Sequence, residues 1–243
     1  MESEIIEKVS KILESRKVTT REEVVRIVLR VAFDVLGYKI DDFCEKFDEI
    51  SCSFIDLPIS IKNLHFSDEL EIDGIKFYRL HTVFPSKKDI EIAHEEFLKS
   101  KKLLDNLETM RKVTDKFFKG YNGYGKFFRV YSGKSKYGVF YSIIDDLYED
   151  FETHRKISKS FDGEYVVCVV TERKVEPFLK FFRSMSEKIK RTGIKVWVID
   201  PESESLDPFI GYPKDLELIK GFRNPKIASI INSLWRVNVE KVD

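Results

Sequence analysis

The chain has 243 residues, in which 42 Lys and Arg residues balance 42 Asp and Glu residues. A formal net charge of zero excludes a protein that binds nucleic acid through overall positive charge, so any phosphate-binding patch must be local. Charged residues make up 35% of the chain, a composition compatible with the surface of a thermophile protein. The length suffices for one large domain or two small ones.

The cysteines Cys44, Cys52 and Cys168 are scattered, without the paired spacing of a zinc site or a disulfide scaffold. The N-terminal residues lack the basic start and apolar core of a signal peptide. No apolar run approaches the roughly 20 residues of a membrane span. We therefore expect a soluble, cytoplasmic protein without a membrane partner.

Helix and hairpin signals dominate the N-terminal part. Apolar residues recur at helical spacing near the N-terminus, and Thr20 with Glu23 has the spacing of a capping box that opens a second helix. The two helices are predicted either to pack on a neighbouring layer or to form half of a winged helix-turn-helix. The dipeptide Asp73-Gly74 lies between two strand-like runs and predicts a β-hairpin.

A long helix is predicted after Pro85, because apolar residues keep a helical spacing for about eight turns. It must end near the sequence GYNGYG at residues 120–125, since this glycine content favours a loop. We place a domain joint there. The predicted domains are a helical and hairpin portion at residues 1–119 and an α/β portion at residues 120–243, whose core borrows the helix at residues 88–118.

Residues 164–200 indicate a strand, a helix and a second strand. The continuous apolar run at residues 165–170 is typical of a strand that is covered on both faces. The helix opens at Pro177 and ends at Gly193. Because the second strand lies too far away for a hairpin, we predict parallel pairing through a right-handed crossover. The predicted fold class is α/β with mixed α+β content: a β-α-β core on a mixed sheet, with a helical plus β-hairpin N-terminal portion.

The triplet Glu172-Arg173-Lys174 follows the first of these strands, directly before the crossover helix. A strand that ends in Glu-x-Lys, an amphipathic helix and another strand resemble the core of the PD-(D/E)xK, or restriction-endonuclease-like, nucleases. The resemblance covers about half of the chain, from the long helix to the second strand of the β-α-β unit. It implies that Glu172 and either Asp145 or Asp146 hold Mg²⁺, while Lys174 stabilises the attacking hydroxide or the charged transition state.

Carboxylates supply the hard oxygen ligands that Mg²⁺ prefers, and the cation would polarise a phosphodiester and activate a water molecule. A carboxylate from the long helix, Glu95 or Glu96, would complete the shell. The alternative is that the triplet consists of solvated residues at a strand end, with Glu172 near the positive N-terminus of the helix.

A second candidate site is the segment of residues 116–144, which contains six Lys or Arg residues and no acidic residue. Cations that meet phosphates and aromatic rings that stack on bases are features of nucleic-acid-binding grooves. The predicted nucleic-acid-binding residues are Lys119, Tyr121, Tyr124, Lys126, Arg129, Lys134 and Lys136. The alternative is an aromatic hairpin whose alternate residues fill the core while its lysines solubilise the outer face.

These features lead to two functional hypotheses. The first is a nucleic-acid-processing protein that catalyses Mg²⁺-dependent phosphodiester hydrolysis on a nuclease-like fold. The second is a non-catalytic module that binds DNA or RNA, or a protein partner, through the basic aromatic segment. Whether the protein is an enzyme, and whether it forms a homodimer, stays open at the level of sequence.

Overall fold

The computed structural model describes residues 2–36, 60–61, 64–80, 84–190 and 192–231. They form a mixed α/β protein, which confirms the predicted fold class. None of the described helices is long and apolar enough to cross a membrane. The chain divides into two compact units, Met1–Asp105 and Asn106–Asp243, and the division falls within one long helix. The sequence instead placed a joint after residue 119, at the glycine-rich loop.

Unit 1 combines helices with a small antiparallel sheet. Its elements are α1 (Glu2–Glu14), β1 (Val18–Thr19), α2 (Arg21–Leu36), β2 (Ser60–Ile61), β3 (Leu64–Ile72), β4 (Ile75–Leu80) and the first part of α3 (Lys87–Phe117). The strand order is β1-β4-β3-β2. The hairpin of β3 and β4 turns at Asp73 and Gly74, whose φ angles of 53° and 77° suit an Asp-Gly turn. The predicted hairpin is therefore confirmed.

The order of elements in unit 1 bears on the two alternatives for the N-terminal helices. A helix, a short strand and a second helix precede the β-hairpin, and the short strand pairs with the second strand of the hairpin. The winged helix-turn-helix and the packed-layer alternative both stay predictions. Arg26 of α2 is only 2% exposed and donates to Ser100 of α3 at 3.0 Å. This arginine therefore joins two helices and does not face solvent.

Unit 2 is built on a mixed sheet, which in the described residues has six strands in the order β10-β9-β8-β7-β6-β5. Its elements after α3 are β5 (Asn122–Tyr124), β6 (Phe128–Ser132), β7 (Lys136–Ser142), α4 (Asp146–Glu149), α5 (Phe151–Ser160), β8 (Glu164–Val170), α6 (Glu176–Lys190), β9 (Lys195–Asp200), β10 (Ser205–Ile210) and α7 (Leu216–Ile219). Strands β7, β8 and β9 are parallel. The pairs β5–β6, β6–β7 and β9–β10 are antiparallel.

Strand β8 is an interior strand with parallel neighbours on both sides. All of its residues are buried, as its continuous apolar run predicted. The crossover helix α6 begins one residue before Pro177 and leads into the parallel strand β9. The predicted β-α-β unit is therefore confirmed.

Helices cover both faces of this sheet. On one face, Thr114 of α3 shares a hydrogen bond of 2.6 Å with the hydroxyl of Tyr141 in β7. On the other face, the Nδ1 atom of His154 in α5 lies 2.6 Å from the hydroxyl of Tyr165 in β8. Tyr165 is the register partner of Gly138, which lies three residues from Tyr141 and therefore faces the opposite side.

Candidate functional site

The predicted catalytic triplet lies at the carboxyl edge of the parallel strands. Strands β7 and β8 pair in parallel register, with Ser142 opposite Val169. Asp145 and Glu172 each follow these partners by three residues, so both leave the same edge of the sheet. Ligands of open α/β sheets bind beyond the carboxyl ends of the strands.

The triplet itself is tied to the end of β9. Arg173 has a φ angle of 61°, a left-handed conformation that costs energy for a residue with a side chain. Its backbone N–H donates to the hydroxyl of Thr171 at 3.0 Å, and its guanidinium contacts Asp200 at 3.1 Å and Glu202 at 2.6 Å. Burial would raise the pKa of Asp200, but hydrogen bonds from Ser203 and Arg173 lower it below its usual value. These contacts tie the triplet to the residues that follow β9.

The other residues of the predicted metal site differ in exposure. Glu172 and Lys174 are exposed and form an ion pair of 3.5 Å with each other. Asp145 is exposed, whereas Asp146, the first residue of α4, is only 3% exposed. In the part of the chain that the structure describes, no group of three or more His, Cys, Asp or Glu side chains is arranged to hold a metal ion. Binding of Mg²⁺ by Glu172 with Asp145 or Asp146 stays a prediction.

Glu96, which we expected to supplement the metal shell, is engaged by cations of unit 1. Its carboxylate accepts hydrogen bonds from the buried Arg26 and from Lys99, the latter at 2.7 Å. Burial would raise the pKa of Glu96, but the hydrogen bond from Lys99 and the charge of Arg26 lower it. Glu96 therefore helps to hold α3 against α2, and Glu95 is exposed on the same helix.

Most aromatic residues of segment 116–144 belong to the core of unit 2. Phe118 stacks on Tyr131 with ring centroids 4.3 Å apart, and its centroid lies 4.9 Å from that of Tyr137. The buried aromatic residues of the segment are Phe117, Phe118, Phe127, Phe128, Tyr131, Tyr137, Phe140 and Tyr141. For these residues the structure agrees with the aromatic-hairpin alternative, because a buried ring is not accessible to a base.

Two of the predicted nucleic-acid-binding residues contact other side chains of the protein. Tyr121 donates its hydroxyl to Asp215 at 2.8 Å, and burial together with this carboxylate raises the pKa of Tyr121 to about 12. The ammonium of Lys136 lies 5.5 Å from the centre of the Phe161 ring, which fits a cation–π contact. Both contacts stabilise the fold of the segment.

Arg129 is a third residue with a structural role. It donates to the two carboxylate oxygens of Asp115 at 2.7 and 3.0 Å, a geometry that fixes the guanidinium. It also donates to the backbone carbonyl of Gly125 at 2.8 Å. The same carboxylate accepts from the hydroxyl of Tyr131 at 2.7 Å. Arg129 therefore holds the turn between β5 and β6 against α3.

The four remaining residues, Lys119, Tyr124, Lys126 and Lys134, are exposed and surround the edge strand β5, although the ammonium of Lys126 also lies 5.1 Å from the centre of the Phe127 ring. We call these four residues the basic edge. Asn122 pairs with Ser132, so the turns that carry Lys119 and Lys134 lie at one end of β5, and Lys126 follows its other end. Three residues of strand span about 10 Å, so the basic edge forms a stripe along the sheet and not a single point.

A buried ion pair at the amino edge of the sheet was not predicted from the sequence. Glu164 opens β8 and is only 4% exposed. Its carboxylate accepts from Lys195 of β9 at 2.9 Å and from the backbone N–H of Lys214 at 3.0 Å. Burial and the hydrogen bond to Glu164 raise the pKa of Tyr137. The sequence did contain a signal for this pair. Glu164 is an acidic residue at the start of a strand whose apolar run predicted burial on both faces, and a buried acid needs a partner.

Charge is distributed unequally between the two units. Residues 1–105 contain 17 Lys and Arg against 22 Asp and Glu, and residues 106–243 contain 25 against 20. Unit 2 is therefore net positive although the whole chain is neutral. Unit 2 also carries the basic edge.

Two family models match the chain, and both are described as domains of unknown function. The model for domain of unknown function DUF6846 matches residues 4–94. The model for the C-terminal domain of DUF6834 matches residues 96–224. No curated protein matches the chain. Because the second match covers more than half of the chain, the protein belongs to the family defined by the DUF6834 C-terminal domain.

Proposed function

We propose that the protein binds nucleic acid and that the basic edge of unit 2 contacts the phosphate backbone. The supporting observation is that Lys119, Lys126 and Lys134 stay exposed around one edge strand, while most neighbouring aromatic residues are buried. A stripe of about 10 Å is long enough to contact more than one phosphate of a nucleic acid strand. The positive balance of unit 2 adds a favourable long-range field.

Electrostatic binding of this kind releases counterions, so its affinity must fall with salt. A mobility-shift assay on the full chain in EDTA, at about 50 mM and about 200 mM salt, measures both affinity and slope. EDTA removes divalent cations and so separates binding from cleavage. We expect a steep salt dependence for the unaltered protein.

The test variant combines Lys119→Gln, Lys126→Gln and Lys134→Gln. If each lysine neutralises one phosphate, the slope of log K against log salt falls by about 2 to 3. The matched control combines Lys11→Gln, Lys76→Gln and Lys88→Gln, which removes the same charge from exposed positions of unit 1. No shift with any nucleic acid, or equal losses in the two triple variants, would refute the proposal.

Metal-dependent hydrolysis is the second candidate function. It is supported by the parallel register, which sends Asp145 and Glu172 to the same edge of the sheet, and by the left-handed Arg173 between Glu172 and Lys174. Backbone strain of this kind clusters at functional sites. In this proposal Glu172 with Asp145 or Asp146 binds Mg²⁺, and Lys174 stabilises the charged transition state.

A cleavage assay with a labelled oligonucleotide and Mg²⁺ or Mn²⁺ tests this candidate. Glu172→Ala and Lys174→Ala are each expected to lower the cleavage rate by about 100-fold or more. Glu176→Ala is the control, because it removes an exposed acid from the first turn of α6. Cleavage that persists unchanged in both test variants removes the catalytic assignment and leaves the binding proposal intact.

A further inference from the structure

Tyr124 stands apart from the other aromatic residues of segment 116–144, all of which the structure describes. The residue is 46% exposed, whereas Tyr121 is half-buried and the others are buried. It occupies the last position of the edge strand β5, between Gly123 and Gly125. Neither neighbour in the chain places a side chain beside the ring of Tyr124.

Both flanking glycines are required by the structure. A Cβ atom on Gly123 would lie 2.9 Å from the ring of Tyr131, which is closer than such contacts allow. Gly125 has a φ of 90°, and a Cβ atom there would lie 2.1 Å from the backbone oxygen of Phe128. Neither chain neighbour of Tyr124 can therefore carry a side chain without a shift in the packing around β6.

The backbone that carries Tyr124 is held on both sides. The residue pairs with Val130 in the register of β5 and β6. The carbonyl of Gly125 accepts a hydrogen bond of 2.8 Å from Arg129, whose guanidinium is fixed by Asp115. A ring on such a support loses little backbone entropy when a ligand binds, which favours affinity.

We infer that the basic edge takes single-stranded nucleic acid, with a base stacked on the ring of Tyr124 and phosphates at Lys119, Lys126 and Lys134. This inference rests on the proposed function and specifies its substrate class. An aromatic platform between cations is the arrangement that binds single strands, because every base offers a flat face. In a duplex those faces are stacked on neighbouring bases, so the ring has nothing to contact. Single-stranded DNA and RNA share this chemistry.

Fluorescence anisotropy on the full chain tests the inference with labelled single strands of about 16 nucleotides, as DNA and as RNA, and with the matching duplex. We expect at least one single strand to bind about tenfold more tightly than the duplex. Tyr124→Leu should weaken single-strand binding by about tenfold, because the replacement is apolar but has no flat face. Tyr124→Phe should stay within about twofold, because it keeps the ring.

Phe84→Leu is the matched control, because Phe84 of unit 1 is an aromatic residue with 84% exposure. Equal binding of duplex and single strands, or no loss in Tyr124→Leu while the triple lysine variant still weakens binding, overturns the inference and spares the proposed function. Equal competition by polyglutamate of the same charge has the same consequence, because it shows that charge alone determines binding. No binding to any nucleic acid overturns both.

Discussion

At the scale of single residues, the pair of Glu164 and Lys195 gives the sharpest stability prediction. The two side chains are 4% and 17% exposed and lie 2.9 Å apart. Glu164→Gln keeps the shape but leaves the Lys195 ammonium without its counter-charge, so we expect a loss of roughly 3 kcal/mol in the free energy of unfolding. Urea denaturation measures this loss.

Two further variants separate charge from shape at this pair. Glu217→Gln is the control, since Glu217 is exposed and its ion pair with Lys220 should contribute no more than about 1 kcal/mol. The double variant Glu164→Gln with Lys195→Met removes both charges and is expected to recover part of the loss. A double variant that is less stable than Glu164→Gln alone would contradict this account.

The predicted nucleic-acid residues illustrate what a sequence can decide at this scale. The aromatic-hairpin alternative for segment 116–144 agrees with the burial of most of its rings, and the alternation behind it is a local feature. It did not indicate that Arg129 and Tyr121 would be held by Asp115 and Asp215, because these partners come from α3 and from the chain before α7. Side chains that are distant in sequence determine which cations remain exposed.

At the scale of elements, the start of α3 gives a pH prediction. The hydroxyl and the backbone N–H of Ser86 donate to the carboxylate of Asp89 at 2.6 and 2.7 Å, and Lys17 donates to it at 3.1 Å. This capping arrangement lowers the pKa of Asp89 to about 2, chiefly through Ser86. Because the folded pKa is depressed, the stabilisation is complete above the unfolded pKa of about 3.9 and is lost as the pH falls towards 2.

Titration of the Asp89 carboxyl carbon by NMR checks this prediction. Ser86→Ala should raise the pKa of Asp89 towards its usual value, and Lys17→Gln should raise it less, because Lys17 contributes less than Ser86. The two variants control for each other. Both change a residue that contacts Asp89, but only Ser86→Ala removes the capping hydroxyl. An Asp89 that already titrates near 4 in the unaltered protein rules the capping account out.

Sequence patterns identified most of the helices and strands, but they did not identify the strand β5. The capping spacing of Thr20 and Glu23 is realised, since the backbone N–H of Glu23 donates to the Thr20 hydroxyl at 3.2 Å. The glycine-rich sequence after α3 was predicted as a loop, yet residues 122–124 form β5. Glycine disfavours a strand locally, and β5 forms because its backbone pairs with β6.

At the scale of the whole molecule, the division between the units could not be predicted, because it falls inside α3. The apolar spacing of that helix continues across Asp105, so no turn or glycine marks the division. In the sequence, the glycine-rich loop after residue 119 was a stronger local signal for a domain joint than any residue near Asp105. The two family models also meet inside α3, since one ends at residue 94 and the other begins at residue 96.

The topology of unit 2 predicts an order of local stability that hydrogen exchange can measure. Strand β8 is fully buried between two parallel strands, so its amides should exchange most slowly, through the unfolding of the whole unit. Strand β5 has three exposed residues and is the last strand in the sheet order, so its amides should exchange fastest among the six strands. Strand β6 is the internal control, because it pairs with β5 on one side and β7 on the other and should fall between the two. If β5 exchanged as slowly as β8, its edge would be covered in solution, and the basic edge would not be available to a nucleic acid.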